Sequence, residues 1–325
     1  MATTRLAGPV VEGRARRRRW WIIVPLALVA IAAVAAVTAA VWIAQQMPRT
    51  EVNGLSASSQ PLHVLVVGSD SREDLTAEER RELSTGHAEG ERADTIFVMS
   101  IDGQRVALLA FPRDLWVERC DGSSGRINSA IAMADGPGCL VRTVNRLSGI
   151  PIHHYLEVTF GGFRDVVDSL GGVSMCLEEP INDRDAGIDL PAGCQRLDGT
   201  DALGYVRVRK IDDDFQRIVR QQQFFQALAQ QMIATASPAR PIQTVSVAAE
   251  VASAATADTE LGPITMLRIA WALRSVASDG IIGATVPVTP RITGQGAYVL
   301  DPVADEAALL FSAHRTGTVF GEVTP

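Results

Sequence analysis

Residues 205–222 read YVRVRKIDDDFQRIVRQQ, and the folding of this stretch decides what the rest of the chain is built to hold. As a β-strand, Tyr205–Arg209 would put Arg207 and Arg209 on one face and Val206 and Val208 on the other. Asp212–Asp214 then reads as a turn and N-cap, with Asp214 placed to accept an orphan N–H of the helix that follows. On that helix Ile218, Phe225, Leu228 and Met232 make an apolar stripe, and Arg217 and Gln221 lie one turn apart on its flank. The expectation is a strand and a helix that aim three guanidiniums and an amide into one space. Clustered guanidiniums repel unless an anion lies between them, and the guanidinium fork suits phosphate oxygens taken two at a time. The plainer reading, surface arginines paired with Asp212 and Asp213, fits less well with arginines that alternate into a sheet face.

Working outward, LHVLVVG (62–68) is a buried-strand pattern that ends in Ser69, Asp70, Ser71 and Arg72. A Glu-rich polar loop leads to Arg92-Ala93-Asp94-Thr95 and a second strand, Ile96–Ile101. Asp102-Gly103 signals a tight hairpin, with Arg105–Phe111 returning antiparallel before Pro112-Arg113-Asp114. Counting along the hairpin puts Asp94 and Arg113 at the same open end. Asp70 joins them if the first strand runs parallel to the returning one. Two carboxylates beside an arginine cluster are what a phosphate-bridging Mg²⁺ requires, since this ion takes one or two carboxylates together with phosphate oxygens and water.

Further along, Arg126–Ala130 is expected to begin a helical segment that continues through Leu140–Leu147, followed by a strand at His153–Thr159. His153 and His154 are adjacent, face opposite sides of that strand, and read as structural. A helix at Phe163–Leu170, a strand at Val173–Leu177 and a loop at Leu190–Gly199 lead back to the arginine stretch. Helices at 239–257 and 263–277, strands at Ile281–Val288 and Tyr298–Leu300, and a helix at Val303–Phe311 complete the expected chain. The apolar helices beyond residue 225 suit either a packed core or the wall of an isoprenoid site.

Trp20–Ala44 is an apolar run long enough to cross a bilayer, preceded by Arg14 and Arg16–Arg19 and marked by Trp20, Trp21 and Trp42. The positive-inside rule leaves the N-terminus in the cytoplasm; a cleaved signal peptide is the competing reading of the same run. The expected layout is a basic cytoplasmic N-terminus (1–19), a single transmembrane helix (20–44), a tether (45–60) and an extracytoplasmic catalytic domain (61–325). The chain of 325 residues has a net charge of −7, but residues 1–46 carry +5 and the remainder −12. An acidic body argues against nucleic acid as a partner.

The four cysteines, Cys120, Cys139, Cys176 and Cys194, form no C-x-x-C unit, so a zinc site is not expected. Three pairings are formally possible, and four buried thiols is the alternative. The favoured pairing is Cys120–Cys139 and Cys176–Cys194, each closing a loop of roughly 20 residues worth about 3 kcal/mol in chain-entropy terms. No G-x-x-x-x-G-K-[ST], G-x-S-x-G or H-E-x-x-H occurs, which removes P-loop NTPases, elbow-type serine esterases and common zinc hydrolases.

VVGSDSR (66–72), RADT (92–95), FPRD (111–114), RINSA (126–130), LDGTDALGYVRVR (197–209) and DFQRIVRQQ (214–222) together resemble the LytR-CpsA-Psr family of bacterial envelope proteins. The resemblance covers roughly residues 60–235 in motif detail. It implies an α/β fold, a mixed central β-sheet sandwiched between helices, with an apolar tunnel for a polyprenyl chain. It also implies a phosphotransferase that moves a glycopolymer from a polyprenyl-pyrophosphate carrier onto peptidoglycan. By resemblance Asp70 and Asp94 would hold Mg²⁺ (or Mn²⁺), and Arg92, Arg113, Arg207, Arg209 and Arg217 would grip the pyrophosphate with Gln221 assisting. Of these, Asp94, Arg113 and Arg217 are the expected catalytic residues. Arg72 and Arg220 also match the pattern, and Asp94 and Asp114 are the candidate bases. Arg126 departs from it, standing where the family usually has Lys. The sequence alone leaves open a polyprenyl-pyrophosphate hydrolase and a non-catalytic, membrane-tethered lipid-binding module.

Overall fold

The three strands expected at the centre of the molecule are there, and each is apolar on both faces. The computed structural model of the protein describes residues 34–71, 78, 92–208, 214–236 and 240–321, with the side chains at 214–219, 275 and 277–279 excepted. The chain divides into two units, Met1–Trp42 and Ile43–Pro325. In the first unit residues 34–42 are helical. The greater part of the run Trp20–Ala44 lies outside the described residues, and among those described no helix is long and apolar enough to cross a membrane.

The second unit begins with β1 (Arg49–Thr50), β2 (Leu62–Ser69), β3 (Ala93–Asp102) and β4 (Arg105–Ala110), then β5 (Trp116–Glu118), β6 (Ser124–Arg126) and α1 (Gly136–Ser148). Next come β7 (His154–Thr159), α2 (Phe160–Ser169), β8 (Val173–Leu177), β9 (Ile181–Asp183), β10 (Ile188–Leu190), β11 (Gly193–Leu197) and α3 (Gly199–Arg207). The chain finishes with α4 (Asp214–Thr235), α5 (Pro241–Ser253), β12 (Ala255–Asp258), α6 (Pro263–Asp279), β13 (Ile282–Thr285), β14 (Val288–Ile292), β15 (Tyr298–Pro302) and α7 (Ala304–Thr316).

Seven of these strands form one mixed sheet in the order β1-β12-β7-β2-β3-β4-β13. β2 and β4 both pair antiparallel with β3, so they run parallel to each other and end at the rim where β3 begins. Alternation sorts the side chains. Leu65, Val67, Ile96, Val98 and Leu109 face one core with Leu140 and Val144 of α1 and Phe311 of α7. Leu62, Val64, Met99, Ile101, Val106 and Leu108 face the other, with Ala229 of α4 and Ala272 and Val276 of α6. Covering both faces is why β2 reads as an unbroken apolar run rather than a polar/apolar alternation. A satellite core forms where α2, α3 and the first half of α4 pack on the β8–β11 and β9–β10 hairpins around Phe224 and Tyr205.

One face of the sheet carries buried histidines. Ser100 Oγ lies 3.0 Å from His63 Nδ1 and 2.9 Å from His314 Nδ1. The backbone N–H of His63 donates to His153 Nδ1 at 2.8 Å, which leaves the proton of His153 on Nε2, 3.0 Å from Ser59 Oγ. His154, on the opposite side of its strand, faces Asp258, which also accepts from the N–H of Tyr155 at 2.9 Å. His153 and His154 hold the interior together, as the sequence reading expected, and His63 and His314 join them.

The structure departs from the sequence reading at several places. The described part of the expected strand Tyr205–Arg209 is not a strand: Gly199–Arg207 is helical, with Asp198 Oδ1 accepting the N–H of Asp201 at 2.9 Å as its N-cap. Gly204 fits there because a Cβ would stand 2.0 Å from Ile188 Cγ2. The expected loop at Leu190–Gly199 contains β11, where Cys194 pairs directly with Cys176. Both favoured disulfides, Cys120–Cys139 and Cys176–Cys194, are formed. Ser124–Arg126 is a short strand and Ile127–Ser129 a 3-10 turn, so the expected helix starts only at Gly136. Within the stretch expected as one helix, 239–257, Pro241–Ser253 is helical and β12 begins at Ala255. Residues 45–60 contribute β1 to the central sheet, bury Met47, and pack Val52 and Leu55 on the core.

Candidate active site

At the rim where β2 ends, the β2–β3 register pairs Ser69 with Ala93 but Gly68 with Thr95. Asp94 is therefore the extra residue of a β-bulge, a device that re-aims a side chain by breaking the strict alternation of the strand. Gly68 permits it, since a Cβ there would lie 3.1 Å from Thr95 Cβ. Just past β4, Arg113 Nη1 meets Asp94 Oδ1 at 2.7 Å, and its Nε lies 3.4 Å from Asp114 Oδ2. Asp114 Oδ1 is 3.1 Å from Arg126 Nε, while Arg126 Nη2 donates to the carbonyl of Tyr298 at 2.8 Å. The rim thus carries an alternating chain of charge, Asp94–Arg113–Asp114–Arg126, of which the hairpin count placed Asp94 and Arg113 at this end and left Asp114 and Arg126 unplaced.

Asp70 sits beside this chain and is buried. Its Oδ1 accepts the backbone N–H of Arg92 at 2.6 Å, and its own N–H donates to the Arg92 carbonyl at 3.0 Å. That leaves the Arg92 side chain exposed. Among the described residues no three His, Cys, Asp or Glu side chains converge as a metal cage. Asp70 and Asp94, two carboxylates at adjacent strand ends, match the donor set of an ion that takes its remaining ligands from phosphate and water.

Below the rim, between the sheet and helices α4, α5 and α6, lies a cavity of about 300 Å³. Val66, Phe97, Met99, Leu108, Leu156 and Val158 form its floor. Phe225, Leu228 and Met232 of α4 and Ile269, Leu273 and Val276 of α6 form its roof. The stripe expected on α4 therefore lines an open space through Phe225, Leu228 and Met232. Among the described residues, polar groups appear only at one end, where Asp94, Thr95, Thr159, Arg207 and Gln221 line the wall.

Arg207 reaches this mouth as the last residue of α3, with its guanidinium 4.9 Å from the Phe160 ring centroid. Gln221 Nε2 donates to the carbonyl of Val206 at 3.1 Å and lies 3.4 Å from Thr95 Oγ1, so it ties α3 to β3 at the same place. Arg220 points elsewhere. It is buried, donates to the carbonyl of Val208 at 3.3 Å and lies over the Tyr205 ring. Burial lowers its pKa from the ordinary arginine value. Arg220 is a brace between α3 and α4. Arg72 and Arg209 lie outside the described residues, and Arg217 lies on α4 with its side chain outside them.

Sequence reasoning missed Thr159 and Phe160. Thr159 caps α2, its Oγ1 accepting the N–H of Gly162 at 3.1 Å, and Phe160 supplies the face on which Arg207 rests. The only signal for them was the Thr-Phe-Gly-Gly junction, a strand end followed by a capped helix start.

The LytR_cpsA_psr family profile matches residues 29–315. The probable cell wall biosynthesis protein LcpB of Corynebacterium glutamicum is 36% identical over 244 residues, covering 74% of this chain and 57% of that protein. The polyisoprenyl-teichoic acid–peptidoglycan teichoic acid transferase TagU of Bacillus mycoides is 33% identical over 179 residues, covering 53% of each chain. The chain thus spans little more than half the length of these curated relatives. A LytR-Csp2A-Psr enzyme from Actinomyces oris has the same fold, with a TM-score of 0.66 at 22% identity over 83% of this chain and 96% of that one.

Proposed function

The chain belongs to the LytR-CpsA-Psr family, and we propose on that premise that it transfers a polyprenyl-pyrophosphate-linked cell-wall glycopolymer onto peptidoglycan, releasing polyprenyl phosphate. The observation that carries this reading is the cavity: among the described residues it is apolar along its length and charged only at one end, by Asp94 and Arg207. A single-headed lipid with an anionic group has that division of chemistry.

In this account the isoprenoid tail lies between the sheet and α4 and α6, and the pyrophosphate sits at the mouth. Arg207 meets its oxygens, held at the mouth by its contact with the Phe160 face. Arg113 lies within reach and fixes the Asp94 carboxylate. Arg92, Arg209 and Arg217 join the grip on the headgroup. Asp70 and Asp94 would hold Mg²⁺ (or Mn²⁺), which would neutralise charge on the diphosphate when bound. A hydroxyl of the peptidoglycan acceptor attacks the sugar-side phosphorus. The bond from that phosphorus to the bridging oxygen breaks, and the lipid leaves with one phosphate while the acceptor gains a phosphodiester to the glycan. Asp94 and Asp114 are the carboxylates on the rim available to take the hydroxyl proton. Guanidiniums positioned before the reaction stabilise the charge that develops, at no cost of reorganisation.

Trp20–Ala44 would anchor the chain in the cell membrane with the body outside the cell, where both lipid carrier and peptidoglycan are found. The test is the purified chain supplied with a labelled polyprenyl-pyrophosphate glycan, with and without peptidoglycan. Label on the peptidoglycan together with released polyprenyl phosphate is the expected result. Glycan phosphate released to water at the same rate with or without acceptor would make the protein a hydrolase, and lipid bound without turnover a carrier.

A further inference from the structure

Helix α6 has a second apolar face, which the cavity does not use. Ile269, Leu273 and Val276 point into the cavity, and on the opposite side Ile264, Leu267 and Trp271 are 77%, 55% and 52% exposed. These three follow the i, i+3, i+7 spacing of one helical stripe. Arg268 and Arg274 flank the stripe, both exposed, and the Arg274 guanidinium lies 5.1 Å from the Trp271 ring centroid. Apolar side chains bordered by arginines, with a tryptophan among them, are the composition of a helix that lies in a membrane interface, and no described helix is of a kind that crosses one.

The path of the chain points to the same occupant. The second unit begins at Ile43, one residue before the end of the expected bilayer span. Ile43 and Met47 pack in one cluster with Leu261, Met266 and Ile269, the start of α6 and the residues just before it. Arg49 fastens the junction: its Nη1 donates to the carbonyls of Asp258 at 2.9 Å and Leu261 at 2.8 Å, and its Nη2 to Ala44 at 3.1 Å. A chain leaving a bilayer at residue 44 has no slack before it reaches α6.

We propose that the outer face of α6 docks onto the surface of the lipid bilayer, with Ile264, Leu267 and Trp271 in the headgroup–acyl boundary and Arg268 and Arg274 on anionic headgroups. One helix then separates bilayer from cavity, which shortens the route of a long isoprenoid tail between them. The docking face is new to the proposed function and rests on it only for the tail; the anchor reading supplies the bilayer.

The four cysteines are all in disulfides, so an added one takes a label uniquely. The full chain carrying Leu267→Cys with an environment-sensitive fluorophore is reconstituted into phosphatidylglycerol/phosphatidylcholine vesicles containing acyl-chain nitroxide lipid. Leu309→Cys, on the exposed side of α7 across the sheet, is the control. Quenching and a blue shift at 267 but not at 309, weakened when phosphatidylglycerol is omitted, are expected. Equal quenching at both sites or at neither overturns the proposal. So does protection at 267 without lipid quenching in a preparation that runs as a dimer, which would make the face a contact between copies. A second measurement uses Ile264→Glu with Leu267→Glu and Trp271→Glu. Turnover of a short-tailed substrate in detergent should stay native while turnover of the long-tailed lipid in vesicles falls by roughly an order of magnitude. Full turnover in vesicles counts against docking. Absence of any turnover by the native chain would instead strike the transfer reading and leave the quenching result standing.

Discussion

Arg113 Nη1 lies 2.7 Å from Asp94 Oδ1, so the residue just past β4 holds the side chain that the bulge in β3 releases from the strand's alternation. The pair is partly exposed, and its worth lies in placement more than in stability. Asp94→Asn keeps the shape and loses the charge, and Arg113→Ala frees the carboxylate from its orienting partner. Each is expected to lower turnover by about 10²–10³-fold. The double variant should be little worse than either single one, because groups that act as a unit are not additive. Both should still bind polyprenyl phosphate. Transfer assays and lipid-binding titrations check this, and native turnover in Asp94→Asn would remove Asp94 from the site.

Arg207 owes its position to Phe160 as well as to its own helix. Arg207→Ala should weaken binding of the pyrophosphate lipid by roughly an order of magnitude or more, the scale of one charge-assisted hydrogen bond. Arg207→Lys should restore only part of it, since a point charge replaces a fork. Phe160→Leu should cost less, about 0.5–2 kcal/mol of binding, by removing the face under the guanidinium. Equilibrium binding of the native chain and the three variants gives the ranking, and full rescue by lysine would contradict the bidentate grip.

Ala229 is buried on α4 and lines the cavity. Ala229→Phe grows a ring into that space, so the protein should fold with a modest loss of thermal stability. Turnover of a long-tailed lipid should fall sharply while a short-tailed one is spared. Equal turnover of the two substrates would show that the tail binds elsewhere.

The buried histidines predict how stability varies with pH. Burial is the main cause that lowers the pKa of His63 to about 3 and those of His153 and His314 to about 4, with His153 and His314 adding repulsion at His63 and His154 at His153. In the unfolded chain each titrates near 6.5, so below that pH the unfolded state takes up protons that the folded state refuses. Stability should be level in this respect above about pH 6.5 and fall from there toward pH 4, by up to ~1.4 kcal/mol per pH unit per histidine. Urea unfolding at stepped pH measures it. His314→Gln should make the slope shallower, and a curve flat down to pH 4.5 would show that the histidines are not held neutral.

The sheet and its rim were legible in the sequence because they follow from local rules. A tight turn at Asp102-Gly103 fixes the hairpin, and counting outward brings Asp94 and Arg113 together. The arginine stretch misled because five alternating residues satisfy a strand, while the longer segment from Asp198 to Arg207 satisfies a capped helix. Burial of Ala202, Leu203 and Tyr205 decided for the helix. Tertiary packing overrides β propensity at such places. Arg207 still reaches the mouth, from a helix end rather than a strand face. The cavity was legible only through the family resemblance, which implies an apolar tunnel; the residues themselves left a packed core and an isoprenoid wall equally open. Phe225, Leu228 and Met232 have the spacing of core residues, and only the way α4 and α6 sit on the sheet leaves room between them.

The central claim is that one lipid fills this cavity with its pyrophosphate at the charged end. A crystal structure of the chain with a polyprenyl-pyrophosphate glycan tests it most directly. The tail is expected between Leu156, Phe225 and Leu273, and the two phosphates within hydrogen-bond reach of Arg207 and beside Asp94. A tail bound outside the cavity, or phosphates away from the Asp94–Arg113 rim, would contradict it.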